Sequence, residues 1–189
     1  VSLNYASDSL LDLERHLQSI YLRCTDLLKL TSVNNFYFEI NLIVEVLKNK
    51  VEKEIEKFND HLSHQNLNHL CFSQSDVGIH NIISTRQGLA FIDFEYAGID
   101  HISKLLADWI VQPECPLNNS QESILISGIV ESEMFIDKEW IKILNMIKPI
   151  TSMKWCLLII KKSIMTGNIS DAEKKFYNYY KSITEPLLN

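Results

Sequence analysis

The chain has 189 residues, 46% of them apolar and 22% charged, with a formal net charge of −6. That length suffices for one sizeable core, and the acidic balance argues against nucleic acid or an anionic membrane as the main partner, since both recruit basic patches. Cys24, Cys71, Cys115 and Cys156 have no short spacing, which excludes a CxxC metal knuckle or dense disulfide framework and fits reduced, mostly buried thiols in a cytoplasmic protein.

Taken in chain order, Leu10, Leu13, Leu17, Ile20, Cys24, Leu27 and Leu28 recur at steps of three and four and predict an amphipathic helix, with Ser7 and Asp8 as caps. Phe36, Ile40, Ile43, Val44, Leu47, Val51, Ile55, Phe58 and Leu62 predict a second, long helix without Pro or Gly. The period changes near Leu70. Short β-type runs follow at 70–72, 81–84 and 89–93, and STRQG at 84–88 reads as the turn between the last two. Helical patterning resumes over 102–111 until Pro113 and Pro116 break it. Asn118 and Asn119 are placed to cap a helix to about Glu131, and a longer helix carrying Pro149 fills 138–165. Gly167 and Asn168 stop it, and a last helix is expected over about 170–182. The longest apolar run, at 155–160, is far short of the roughly 20 residues that span a bilayer. The expectation is a single domain over residues 1–189, α+β and predominantly helical, with a small β-hairpin in its middle.

The hairpin carries the chemistry. Its segment reads SQSDVGIHNIISTRQGLAFIDFEYAG from Ser73 to Gly98, with Asp76, Asn81 and Asp93 placed around it. Asn81 opens the first strand and Asp93 closes the second, so an antiparallel pairing brings an amide oxygen and a carboxylate together at the open end. An oxygen-only pair of that kind suits Mg²⁺, with phosphates and water completing the shell. Asp76 sits in the loop entering the first strand, and Gly78 is expected to let that loop turn tightly.

These residues resemble a known pattern. Asp76-VGIH-Asn81 has the spacing of the kinase catalytic loop, and IDFEYAG at 92–98 is similar to the metal-binding segment of the aminoglycoside phosphotransferase and choline kinase-like family, which has the protein kinase-like fold. The resemblance covers residues 70–114. It implies that the chain is the large, C-terminal lobe of a small-molecule kinase, with Asp76 as catalytic base and Asn81 and Asp93 as the Mg²⁺ and ATP-phosphate ligands. In DHISKLLADW at 100–109 it implies that Asp108 braces the catalytic loop through a hydrogen bond. The acceptor it implies is a hydroxyl on an amino sugar, sugar or amino alcohol, and the acidic balance favours a cationic one. Two positions depart from the family: its His before the Asp is Gln74 here, and its Gly is Ser75.

A kinase also needs a Gly-rich loop and a strand Lys. The glycines, at 78, 88, 98, 128 and 167, form no G-x-G, and Lys29, Lys48, Lys50, Lys53 and Lys57 all fall in or beside helical patterns. The N-terminal nucleotide-clamping lobe is therefore expected to be absent and the chain, which opens at Val1, to be cut from a longer, active enzyme. Alone it should bind nucleotide weakly at best and be inactive. The alternative is a non-catalytic, pseudokinase-like helical interaction module. Of the remaining polar residues, Glu95 either touches metal or substrate or makes a surface salt bridge. His61, His64 and His69 read as solvated helix-end histidines, and His80 as packing under the loop.

Overall fold

In the computed structural model of the chain the described residues are 69–135 and 137–166, together with 9, 13–31, 49 and 53. They form a mixed α+β architecture, mostly helical: α1 (Leu13–Thr31), β1 (Leu70–Ser73), a 3-10 turn (Ile79–Asn81), β2 (Ile82–Thr85), β3 (Gly88–Phe91), β4 (Gly98–His101), α2 (Ile102–Ile110), α3 (Asn119–Glu131) and α4 (Glu139–Thr166). Residues Val1–Asp12 with Gln65–Thr151 make one compact unit, and Leu13–His64 with Ser152–Asn189 a second. The expected caps Ser7 and Asp8, the stop at Gly167 and Asn168, and the helix over 170–182 lie outside the described residues. So does the helix over 36–62, apart from Asn49 and Lys53, which are both helical. No helix among the described residues is long and apolar enough to cross a membrane.

In the second unit the predicted stripe of α1 is buried at Ile20, Cys24 and Leu27, and the later turns of α4 bury Met153, Cys156 and Leu157. Burial pushes the Cys156 thiol up to about 12, so it stays a neutral apolar filler.

The first unit is built on two separate two-stranded antiparallel sheets, β1 with β4 and β2 with β3. In the first sheet Leu70 faces His101 and Ser73 faces Gly98. β4 reads GIDH, in which only Ile99 favours a strand, and pairing with β1 is what makes it one. Asp100 of β4 is buried; its Oδ1 accepts from the His101 N–H at 2.7 Å and from the Ser9 hydroxyl at 3.0 Å.

His101 then starts α2: its Nδ1 accepts the Ser103 N–H at 3.2 Å, which makes an imidazole the N-cap. The helix buries Ile102, Leu106, Ala107 and Ile110. It also buries an ion pair, Lys104 with Asp108, one turn apart and each with a side chain 1% exposed. The Ser103 hydroxyl donates to the Trp140 carbonyl at 2.6 Å, tying α2 to the start of α4. From there Trp140, Leu144, Ile147 and Ile150 form the buried stripe of α4. Pro149 lies inside that helix and withholds the N–H that would bond the Asn145 carbonyl. α3 begins in a capping box: Asn118 Oδ1 accepts the Gln121 N–H and Gln121 Oε1 accepts the Asn118 N–H, each at 3.0 Å. It buries none of its side chains, and Glu122 pairs with Lys148 of α4.

His69 corrects the sequence reading. It is fully buried, not solvated, with Nε2 2.8 Å from Asp137 Oδ1 and its ring edge-on to His101 at 5.4 Å. The residue stands at the entry to β1, and sheet pairing carries it inside.

Burial first, and then the neighbouring His69, push the His101 imidazole down to about 4. An unfolded histidine titrates near 6.5, so between about pH 6.5 and 4 the unfolded chain binds a proton that the folded one refuses. Stability therefore falls as pH drops through that window, and protonation at Nδ1 also removes the α2 cap. The urea midpoint of the wild-type chain is expected to fall more steeply from pH 7 to pH 4.5 than that of His101→Asn, which keeps a capping oxygen without the titration.

Candidate functional site

The hairpin of β2 and β3 pairs Ile82 with Phe91 and Thr85 with Gly88 around the two residues Arg86 and Gln87. Two-residue loops usually demand positive φ at their centre. Here the Thr85 hydroxyl closes the turn instead, donating to the Gly88 carbonyl at 2.7 Å and accepting the Gln87 N–H at 3.2 Å, while Gly88 takes the positive φ of 124°. Phe91 meets Trp109 of α2 edge-on at 6.1 Å and holds the hairpin to the helix below.

At the open end the predicted residues come together with a shift of register. Asn81 lies in the 3-10 turn before β2, and its carbonyl accepts the Ile92 N–H at 3.0 Å. Its counterpart is thus Ile92, and Asp93 lies one residue further on. Asp93 leaves the strand path with φ 63°. A left-handed residue there breaks the strand alternation, which would otherwise pair it with the residue before Asn81.

Asn81 is buried, at 4% exposure, and its Nδ2 donates to the Asp76 carbonyl at 2.9 Å. That bond closes the loop from the Asp to the Asn. The amide nitrogen is spent on it, and the amide oxygen remains as a hard acceptor. Gln74 supplies the second tie. Buried at 6%, it donates its amide to the Ile92 carbonyl and to the Asp93 carbonyl, the latter at 3.3 Å. The position where the resembled family has His therefore holds the Asp93 backbone here, and nothing in the sequence of Gln74 alone signals it. Ser75, at the family's Gly, sits at φ 71°, the left-handed region where Gly fits without strain, and the Ser73 hydroxyl accepts its N–H at 3.1 Å.

Gly78 needs a different account from the one its sequence suggests. Its φ is −163°, extended backbone that any residue adopts. What it provides is space: a Cβ there would come within 2.5 Å of the His80 ring and 2.9 Å of Gln112 Nε2. His80 is also not under the loop. Its side chain is 43% exposed and lies between two carboxylates, with Nε2 3.7 Å from Asp76 Oδ2 and Nδ1 3.3 Å from Glu114 Oε2.

Asp93, Glu95 and Tyr96 are exposed beside this loop. The Tyr96 phenol is pushed up by its hydrogen bond to Glu95, then by the charge of Glu95, and less by Asp93 and Asp76, which puts these carboxylates within electrostatic range of one ring. The buried Asp108 pairs with Lys104 one turn earlier in α2.

Asn81 has an amide oxygen and Asp93 an exposed carboxylate, the donor types that an oxygen-seeking divalent cation takes. Among the described residues no three His, Cys, Asp or Glu side chains are grouped to hold a metal. Mg²⁺ bound through one or two protein oxygens, phosphates and water does not need such a group.

In comparisons with known proteins, no family model and no curated protein matches the chain.

The loop geometry makes opposite demands at two neighbouring positions. Ser75→Gly relieves a left-handed serine and is expected to leave the urea midpoint unchanged or raised, whereas Gly78→Ala lowers stability by roughly 1–3 kcal/mol through overpacking. The Gly78→Ala loss should shrink in a His80→Ala background, because the ring that the new methyl strikes is then gone.

Proposed function

We propose that this chain is the catalytic-loop lobe of an ATP-dependent small-molecule phosphotransferase of the kinase-like type. The observation that carries the reading is the tie between Asn81 and the Asp76 carbonyl, which sets a carboxylate and an amide oxygen on one closed loop beside Asp93. In this reading the Asp76 carboxylate accepts the proton of the acceptor hydroxyl. The hydroxyl oxygen bonds to the γ-phosphorus, the bond to the bridging oxygen breaks, and ADP leaves with that electron pair. Asn81 and Asp93 would hold Mg²⁺, which when bound neutralises charge on the phosphate oxygens. Gln74 keeps the Asp93 backbone in place while this happens. The carboxylates of Asp76, Asp93, Glu95 and Glu114 around the loop support a cationic acceptor, such as an amino sugar or amino alcohol. In this reading nucleotide clamping falls to a separate lobe of the kinase-like fold.

A second reading, a pseudokinase-like interaction module, is favoured by the apolar flank of the hairpin. Leu89 and Phe91, on one face of β3, are 66% and 44% exposed, and Ile83, on the other face of the hairpin, is 48% exposed. Exposed apolar side chains of this kind suit a covering partner, and in the phosphotransferase reading that partner is the nucleotide-clamping lobe of the kinase-like fold.

ATP turnover separates the two. The full-length protein with Mg²⁺, tested against amino sugars, sugars and amino alcohols, is expected to show acceptor-dependent ADP release, reduced by about 10²–10⁴-fold in Asp76→Ala. No turnover with any acceptor and no Mg²⁺-dependent nucleotide binding would establish the interaction module instead.

A further inference from the structure

The turn that follows α2 is held unusually firmly for a segment with exposed tips. The Val111 N–H bonds the Ala107 carbonyl, and the Leu117 N–H bonds the Ile110 carbonyl, each at 3.0 Å. Between them Gln112, 3% exposed, folds its side chain back so that Oε1 accepts the Cys115 N–H at 2.9 Å. Pro113 and Pro116 fix φ on both sides of Glu114. The other end of the Gln112 amide abuts Gly78, as the His80 ring does. One rigid turn therefore packs on the catalytic loop and presents a carboxylate to the imidazole beside Asp76.

We propose that Glu114 and His80 are positioning residues for Asp76: Glu114 orients the imidazole, and the imidazole holds Oδ2 of Asp76, leaving Oδ1 to meet the acceptor hydroxyl. The inference rests on Asp76 being the base of a phosphotransferase. The separations, 3.3 Å and 3.7 Å, exceed an ideal hydrogen bond and lie inside ion-pair range. Contacts of this kind in ligand-free sites are commonly long and tighten in the loaded complex. The absence of a Cβ at Gly78 is what admits the ring to this place, so three residues of the loop and one of the turn act together. Partly exposed pairs contribute little to stability, and the effect of breaking this one belongs in the rate.

The experiment is steady-state kinetics of the full-length protein with ATP, Mg²⁺ and its best acceptor. His80→Ala is expected to lower kcat about tenfold, with KM for ATP unchanged within about twofold and the melting temperature preserved. His80→Gln, which keeps a side-chain donor, should recover part of that loss. Glu114→Ala should lower kcat by itself yet add nothing to His80→Ala, because it acts through the ring. Unchanged kcat in His80→Ala, a loss confined to KM, or losses that multiply in the double variant would overturn the proposal while leaving the phosphotransferase reading intact. Absence of turnover by the wild-type protein would overturn both.

Discussion

Buried Asn81 joins two stretches of backbone. Its side-chain nitrogen donates to the carbonyl of Asp76, five residues back, and its main-chain carbonyl accepts the N–H of Ile92 across the hairpin. Both partners are main-chain groups, so the link does not depend on a flexible side chain at its far end. A buried amide deprived of its partner costs about 1–3 kcal/mol, which gives the loop one strongly preferred closed form. Gln74 adds a second link of the same type to the carbonyls of Ile92 and Asp93. The polar residues of the candidate site are thus part of their own scaffold, and the position of the Asp76 carboxylate is inherited from backbone hydrogen bonding.

Around that scaffold the unit divides into a dry side and an acidic side. Beneath lie Ile102, Leu106, Ala107 and Ile110 of α2 and the Trp140 stripe of α4, all buried. Above lie carboxylates and a phenol open to water, with the apolar hairpin flank beside them.

Much of this was legible in the sequence, for identifiable reasons. Asn118 with Gln121 three residues on is a capping box whose signal is local, and α3 starts where those residues place it. The stripe of α2 and the turn of the hairpin are likewise local patterns. β4 was not legible, because Gly98, Asp100 and His101 have no strand preference and the strand exists through β1, nearly thirty residues away. The burial of His69 failed for the same reason. Asp93 was placed one residue out of register because its left-handed backbone cannot be read from an Asp between Ile and Phe. His80 was misplaced because its position depends on the missing Cβ of Gly78 and on the turn at Gln112, a contact across more than thirty residues.

The Lys104–Asp108 pair carries a consequence for descent. Both side chains are sealed inside α2. Replacing one partner by an apolar residue deprives a buried charge of its direct counter-ion, whereas replacing both together with well-packed apolar residues can be neutral or favourable. The two positions are therefore locked to one another across generations. Among relatives of this chain, positions 104 and 108 should be found either both charged or both apolar, whatever the hairpin above them has come to do.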